Sequence, residues 1–263
     1  MRTMSRVDYD AIAHLYDGQP YRGKTVDPEL VTFLAQHDPS GLSLLDIACG
    51  TGSQLVANRS IVPDARLVGL DRSLGMLGQA QRKGSQIAWV QAEGAMLPFR
   101  PESFDFISCQ LGFHHLREKA GMLRDVFAVL RHGGRLAMRN LCPQEHPDWL
   151  YYEYFPAAQT IDLADFWPTV TISATMKSIG FTTISVEPEH IRFEQDLRVW
   201  LNMVRRRDLN SQLMAISDRA YADGIDRLER ELSDESAPHV RPDHLCLMTI
   251  RGDKSRSAPG SVE

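Results

Sequence analysis

The chain has 263 residues, of which 43% are hydrophobic and 24% charged, so it can form one large domain with an added segment. A formal net charge of −5 counts against a dedicated nucleic-acid partner. No apolar run approaches the roughly 18 residues that a membrane span needs. The N-terminal residues lack the apolar core of a signal peptide, and the expected location is therefore the cytoplasm.

In the first half of the chain, apolar runs of strand length alternate with amphipathic stretches. The alternation predicts strands at 44–48, 66–71, 87–91, 104–109 and 135–139, and helices at 73–83 and 117–131. The glycine pair at 133–134 is interpreted as the stop signal of the second helix. This alternation is typical of βαβ units in a parallel sheet, whose ligands bind beyond the carboxyl ends of the strands.

The alternation breaks over residues 142–170, which hold seven large aromatic side chains and four prolines. The aromatic residues are Trp149, Tyr151, Tyr152, Tyr154, Phe155, Phe166 and Trp167. They either line a substrate pocket or form core under a long loop, and the sequence leaves both interpretations open. Further on, the pattern predicts a helix at 172–179, a strand at 182–186, helices within 194–232, a last strand at 245–250 and a polar tail.

The four cysteines form no Cys-x-x-Cys pair and have no histidine cluster near them in the sequence. They are predicted to be reduced thiols, with no disulfide framework and no metal site.

The sharpest local signal is Leu44-Leu-Asp-Ile-Ala-Cys-Gly-Thr-Gly52, a strand that ends in a glycine loop before a helix. Gly50 and Gly52 allow a tight turn and a close approach of the backbone to a ligand. The third glycine of a dinucleotide motif is replaced by Leu55, and the lysine of a phosphate loop is missing. Asp46 would repel a pyrophosphate, so the loop favours a cationic ligand.

Asp71 ends the second predicted strand, where an acidic residue can accept hydrogen bonds from both hydroxyls of a ribose. S-adenosylmethionine is a ligand with a ribose, a positive centre and no pyrophosphate. Its sulfonium and ammonium groups match an acid-lined cleft, and its carboxylate matches the start of the helix after the glycine loop. The sequence therefore predicts S-adenosylmethionine as cofactor.

These residues resemble the class I S-adenosylmethionine-dependent methyltransferases, in particular the small-molecule branch typified by the ubiquinone/menaquinone-biosynthesis C-methyltransferases. The resemblance is dense over residues 40–141, and Tyr9 to Tyr16 is similar to the family's N-terminal helix. Its further motifs are Glu93-Gly-Ala-Met-Leu-Pro-Phe99, Ser103-Phe-Asp-Phe-Ile-Ser, Phe113-His-His-Leu116 and Leu130-Arg-His-Gly-Gly134.

The resemblance implies an α/β fold, a Rossmann-like sheet of seven mostly parallel strands with helices on both faces and an antiparallel last strand. The implied segments are an N-terminal helical cap at 1–40, a methyltransferase domain at 41–251 with an inserted cap at 142–170, and a flexible tail at 252–263.

The resemblance also implies which residues hold the cofactor. Asp46 and the glycine loop would meet the methionine part, Asp71 the ribose, and Arg72 and Met76 the adenine. Glu93 stands where the family usually has Asp, and its longer side chain alters how it meets the adenine amino group. The full implied set is Tyr16, Arg22, Asp46, Ala48, Gly50, Gly52, Asp71, Arg72, Met76, Glu93, Gly94, Ala95, Cys109 and Gln110.

The function that follows is methyl transfer from S-adenosylmethionine to an oxygen, nitrogen or carbon of a small organic molecule. His115 is the candidate general base and His114 its reserve, although two histidines at this place could also be a packed helix start. Two alternatives stay open. One is a protein that binds S-adenosylmethionine for a pericyclase-like or regulatory role, and the other is an RNA or protein methyltransferase.

Overall fold

A computed structural model describes residues 7–18, 24–84 and 86–256. The chain divides into two compact units. The sheet unit takes Tyr9–Asn140, Thr169–Glu187 and the chain from Thr249, and the aromatic unit takes Leu141–Pro168, Pro188–Met248 and the chain before Tyr9. The two units are defined by their compactness alone, and this division does not test the predicted segments. The segments 1–40, 41–251 and 252–263 therefore stay predictions.

Within the described ranges the strands form one sheet in the order β3-β2-β1-β4-β5-β7-β6. The strands are β1 (Ser43–Ile47), β2 (Arg66–Asp71), β3 (Ile87–Gln91), β4 (Phe104–Gln110), β5 (Leu130–Leu141), β6 (Thr182–Asp196) and β7 (Val240–Asp253). The helices are α1 (Tyr9–Tyr16), α2 (Pro28–Leu34), α3 (Ser53–Asn58), α4 (Leu74–Gln81), α5 (Lys119–Val129), α6 (Leu150–Tyr154), α7 (Pro156–Asp165), α8 (Thr169–Ile179), α9 (Leu197–Val204), α10 (Ser211–Ala215) and α11 (Asp218–Ser233).

The first five strands are parallel neighbours, with β1 between β2 and β4. The strand β7 is antiparallel to β5, because the N–H of Gly133 donates to the carbonyl of Lys254 while the N–H of Cys142 donates to that of Cys246. The prediction of a seven-stranded, mostly parallel sheet with an antiparallel last strand is confirmed. All five residues of β1 are buried, which explains its almost continuous apolar sequence.

The glycine pair at 133–134 does not stop α5, and that prediction was wrong. The helix ends at Val129, and β5 begins at once with Leu130. Phe104 pairs with Leu130 whereas Phe106 pairs with Arg135, so the pair lies in a bulge of β5. Gly133 has a φ of +82°, which favours glycine, and this is the reason for a glycine at that place.

Two other elements differ from the sequence prediction. The strand β6 runs on to Asp196, into residues that were assigned to a helix, because it is a mostly exposed edge strand whose polar residues give no strand pattern. The helix α2 lies in the segment 1–40 that was expected to be helical, but its bounds were not predicted, although Asp27 caps it by accepting from the N–H of Glu29 and Pro28 begins it.

Residues 142–170 form helices rather than a long loop, and most of their aromatic side chains are core of the aromatic unit. Trp149, Tyr151, Tyr152, Tyr154 and Phe155 are all buried together with side chains of α9, α10 and α11. The hydroxyl hydrogen bonds of three tyrosines stay within the unit, with Tyr152 donating to Asp162, Tyr154 donating to Glu231 and Tyr151 accepting from Asn210. Of the two open interpretations, this packing supports core. None of the helices in the described ranges is both long enough and apolar enough to cross a membrane.

Candidate active site

A cleft opens at the carboxyl ends of β1, β2, β3 and β4, in the sheet unit. Its lining is Tyr9, Tyr16, Ala48, Gly50, Leu70, Asp71, Arg72, Met76, Ala92, Glu93, Gly94, Gln110, Leu111, Gly112, His115 and Leu116. A second cleft shares five of these residues, and it adds Asp17, Lys24, Asp46, Cys49, Thr51, Ser53 and Gln54. This is the edge where a parallel sheet binds its ligands.

The glycine loop after β1 is set by left-handed backbone angles, with φ of +56° at Ala48, +54° at Gly50 and +72° at Gly52. Gly50 lines both clefts, and its α-carbon faces Tyr16. Gly52 has another role, because a Cβ there would lie 2.2 Å from the ring of Trp89. The loop thus needs glycine at 50 for its exposed turn and at 52 also for packing.

Asp71, at the end of β2, is fixed by the backbone on both sides. Its Oδ2 accepts from the N–H of Gly50 at 2.8 Å, and its Oδ1 accepts from the N–H of Ser73 at 2.9 Å. Burial raises the pKa of this carboxyl, while the two backbone hydrogen bonds lower it. Each oxygen keeps a second lone pair that can accept a hydroxyl of a ligand.

Asp46 is a buried carboxyl in the middle of the sheet, with 3% of its surface exposed. Burial raises its pKa to about 7, against the opposing hydrogen bond that Ser108 Oγ donates to Oδ1 at 2.7 Å. A cationic group in the second cleft would favour the ionised form of this carboxyl. Asp46 is therefore a carboxyl that could balance a positive charge in the second cleft, and its pKa lies near neutral pH.

A second buried carboxyl, Asp27, orders the residues beside Asp46. Gln110 Nε2 donates to Asp27 Oδ2 at 2.9 Å, and Lys24 Nζ donates to Gln110 Oε1 at 3.2 Å. Burial raises the pKa of Asp27. Asp27 and Lys24 were not predicted from the sequence. The Asp-Pro pair at 27–28 is typical of a helix start and could have indicated Asp27.

His115 lies in the first cleft, where its Nε2 is 2.7 Å from the hydroxyl of Tyr9. The ring of His114 packs against that of His115 at a tilt of 43°, with centroids 3.8 Å apart, and its Nδ1 is 3.1 Å from Asn140 Oδ1. Burial, and then the neighbouring His115, lower the pKa of His114 well below its usual range, so its ring is neutral at pH 7.

Gly94 is a tightly packed part of the first cleft. It is buried, and a Cβ there would lie 2.8 Å from Leu116 Cδ2 and 3.2 Å from Ile47 Cγ2, so a larger residue would have to displace these side chains. Met76 is buried behind the cleft, and Glu93 is exposed at its rim. An apolar slot with a carboxylate at its edge can hold a heteroaromatic ring that carries an amino group.

The structure brings most of the implied residues together. The first cleft holds Tyr16, Ala48, Gly50, Asp71, Arg72, Met76, Glu93, Gly94, Gln110 and His115, and the second adds Asp46. Gly52, Ala95, Cys109 and His114 do not line these two clefts; Cys109 is fully buried, and burial raises the pKa of its thiol. Arg22 lies outside the described residues.

Six residues that line the first cleft were not among the predicted site residues, although the sequence offered some signal for each. Tyr9 and Leu116 stand in motifs that resemble the family, but they were not assigned to the site. The others, Leu70, Ala92, Leu111 and Gly112, lie beside or close to predicted site residues in the sequence. In the described part of the chain, no three His, Cys, Asp or Glu side chains are placed to hold a metal ion.

The fold and the cleft together define a class of protein. A Rossmann-like sheet with a glycine loop after β1 and a ligand-facing carboxylate at the end of β2 is the arrangement of the class I S-adenosylmethionine-dependent methyltransferases. A family profile described as "Methyltransferase domain" matches residues 45–138.

Relatives place the chain more narrowly. A 2-phytyl-1,4-naphtoquinone methyltransferase of Thermosynechococcus vestitus is 30% identical over 57% of this chain and 76% of its own length. A ubiquinone/menaquinone biosynthesis C-methyltransferase of Paracoccus denitrificans is 31% identical over 56% of this chain, which spans 60% of that relative. The structure of a candidate methyltransferase from an antibiotic biosynthesis pathway of Anabaena variabilis shares the fold, with a TM-score of 0.66 at 16% identity over 84% of this chain and 94% of that one. The chain belongs to the S-adenosylmethionine-dependent methyltransferases and, within them, resembles the ubiquinone/menaquinone-biosynthesis C-methyltransferases.

Proposed function

We propose that the chain methylates a ring carbon of a reduced quinone, with S-adenosylmethionine as methyl donor, in the cleft at the carboxyl ends of β1, β2 and β4. One observation carries the proposal. The first cleft places the Asp71 carboxyl beside a hydrogen-bonded pair of Tyr9 and His115, and the second cleft, which shares five lining residues with the first, adds the carboxyl of Asp46. The carboxyls suit the donor, and the pair suits an acceptor that must lose a proton.

The side chains fit the donor at three places. Asp71 presents two anchored oxygens to a ribose, and Gly94, which has no side chain, lines the same cleft where a ring could lie. Asp46 offers a negative charge to the cationic end of the molecule, beside the open backbone of Gly50. When bound, S-adenosylmethionine supplies a methyl group that its sulfonium already activates.

The chain's main task is then to align the acceptor with this methyl group. Such alignment can lower a barrier by roughly 7–11 kcal/mol. Leu111, Leu116 and the rings of Tyr9 and Tyr16 line the first cleft, which favours a planar, apolar acceptor. The two quinone-acting relatives point to the same chemistry.

Tyr9 and His115 would take a proton from the acceptor. A ring hydroxyl that loses its proton makes the ring carbon beside it a stronger nucleophile. After methyl transfer, this carbon loses its own hydrogen as a proton to water, which restores the aromatic ring. The Tyr9 oxygen takes the proton of the acceptor hydroxyl and passes its own hydrogen to Nε2 of His115, 2.7 Å away. General-base help of this kind contributes about 10²–10⁴ in rate. His114, which is neutral and packs against His115, supports the His115 ring rather than contacting the acceptor.

The test is transfer of a labelled methyl group from S-adenosylmethionine to a panel of acceptors. The panel holds a 1,4-naphthohydroquinone with an open ring position, the same compound as the oxidised quinone, and a primary amine of similar size. We expect label on a ring carbon of the reduced compound, and much less on the other two. Label on the amine alone would overturn the acceptor class. Binding of S-adenosylhomocysteine without transfer to any of the three would overturn the assignment of this cleft to ring methylation.

A further inference from the structure

Asp17, which follows α1, points its carboxylate into the second cleft and is bonded from three sides. Its Oδ1 accepts from Thr51 Oγ1 at 2.6 Å and lies 3.4 Å from Ser53 Oγ. Its Oδ2 lies 2.5 Å from Lys83 Nζ. The side chain stays 39% exposed, so this ion pair is open to a ligand that enters the cleft.

The three partners form a converging set of donors. Besides its contact with Asp17, the Lys83 ammonium donates to Thr51 Oγ1 at 2.9 Å and to Ser53 Oγ at 2.6 Å. An ammonium and two hydroxyls aimed at one point are the chemistry that binds a phosphate or another oxyanion. Here the chain's own carboxylate holds that point, and the three hydrogens of the ammonium already have acceptors.

We infer that Asp17 is a built-in anion that excludes phosphate-bearing ligands from the cleft, and that it determines cofactor specificity. A diphosphate that enters beside the glycine loop would either face the Asp17 charge at close range or have to displace it from Lys83. A cofactor without phosphate meets no such repulsion. The inference rests on the proposed use of this cleft for S-adenosylmethionine, and it names a residue that keeps nucleotides out.

The experiment is a calorimetric titration with inorganic pyrophosphate. The proteins are the wild type, Asp17→Ala, Asp17→Asn and the double variant Asp17→Ala with Lys83→Met, and Asp64→Ala serves as an exposed acidic control. We expect Asp17→Ala to bind pyrophosphate at least about tenfold more tightly than the wild type, because the donors are released. Asp17→Asn, which keeps the size of the side chain and loses its charge, should lie between them. The double variant should lose the gain, and Asp64→Ala should behave as the wild type.

The inference is overturned if Asp17→Ala and Asp17→Asn bind pyrophosphate no better than the wild type, or if the double variant binds as tightly as Asp17→Ala. If Asp17→Ala is unfolded in a thermal scan, Asp17→Asn alone decides the matter by the same criterion. S-adenosylhomocysteine is titrated into the wild type alongside. A wild type that fails to bind it contradicts the proposed function, whereas the pyrophosphate comparison reports on Asp17 alone.

Discussion

Both units of the chain bury polar atoms, but they do so in opposite ways. In the sheet unit, burial leaves Asp46 with a pKa of about 7 and Asp71 with lone pairs that face a cleft. In the aromatic unit, the hydroxyls of Tyr152 and Tyr154 donate to the carboxylates of neighbouring helices, and their rings are core. Spare hydrogen-bonding capacity in a cleft therefore indicates function, whereas hydroxyls with partners on packed rings indicate stability.

The largest expected effect is on kcat, when His115 is replaced. Replacing it with glutamine should lower kcat by about 10²–10⁴, because the acceptor proton loses its base. The affinity for S-adenosylmethionine should stay unchanged. The matched control is His132→Gln, a half-exposed histidine that contacts the carbonyl of Ser255. Single-turnover kinetics of both variants decide the matter, and equal rates in the two variants would remove His115 from the reaction.

The aromatic unit should respond in stability instead. Tyr152→Ala should lower the free energy of unfolding by about 3–5 kcal/mol, as for a large core aromatic, and leave kcat and KM unchanged at temperatures where the variant is folded. Phe193→Ala, at a side chain with 38% exposure, should cost far less. Urea titrations measure both. A Tyr152 variant with normal stability and a raised acceptor KM would show that this side chain contacts the acceptor and is not only core.

Asp71→Ala should weaken the binding of S-adenosylmethionine by about 1.5–3 kcal/mol, the value of hydrogen bonds to a charged acceptor. That loss corresponds to roughly a 10- to 200-fold rise in Kd. Asp71→Asn keeps the shape and should lie between the variant and the wild type. Calorimetric titration of the folded proteins gives all three values, and an unchanged Kd in Asp71→Ala would remove the ribose role.

A smaller effect concerns pH and Asp46. Its pKa in the folded chain is raised from 3.8 to about 7, so the ionised form that a cation prefers grows as the pH rises. The Kd for S-adenosylmethionine should therefore fall by roughly tenfold between pH 6 and about 7.5, below the titration of the ligand's own amino group. Because the pKa of Asp46 is higher in the folded than in the unfolded chain, the protonated carboxyl stabilises the folded state. This stability is lost as the pH rises from about 4 through 7. Asp46→Asn should flatten both profiles, and a pH-independent Kd in the wild type would exclude Asp46 as the cation partner.

The sheet could be predicted from the sequence because each βαβ unit has a local pattern, in which an apolar run alternates with an amphipathic stretch. The strand predicted at 66–71, for example, has the same bounds as β2. The bulge at Gly133 could not, since it depends on the register of β5 against β4. In the site, Asp71 and Gly50 follow from strand ends and loop chemistry. Tyr9, Asp17 and Lys24 reach the clefts from segments outside the loops that follow the strands, and sequence spacing does not encode such contacts. The aromatic cluster stayed ambiguous because composition cannot show whether Tyr152 finds a partner such as Asp162.

Hydrogen exchange of the backbone amides, with and without S-adenosylhomocysteine, directly tests whether the sheet unit binds the cofactor and the aromatic unit does not. The account predicts slower exchange in the ligand-bound protein at the loop of residues 48–52, at the end of β2 and at residues 92–95. It predicts no change over residues 149–166. Slower exchange confined to residues 149–166, with an unchanged glycine loop, would contradict the central claim that the cleft of the sheet unit holds the cofactor.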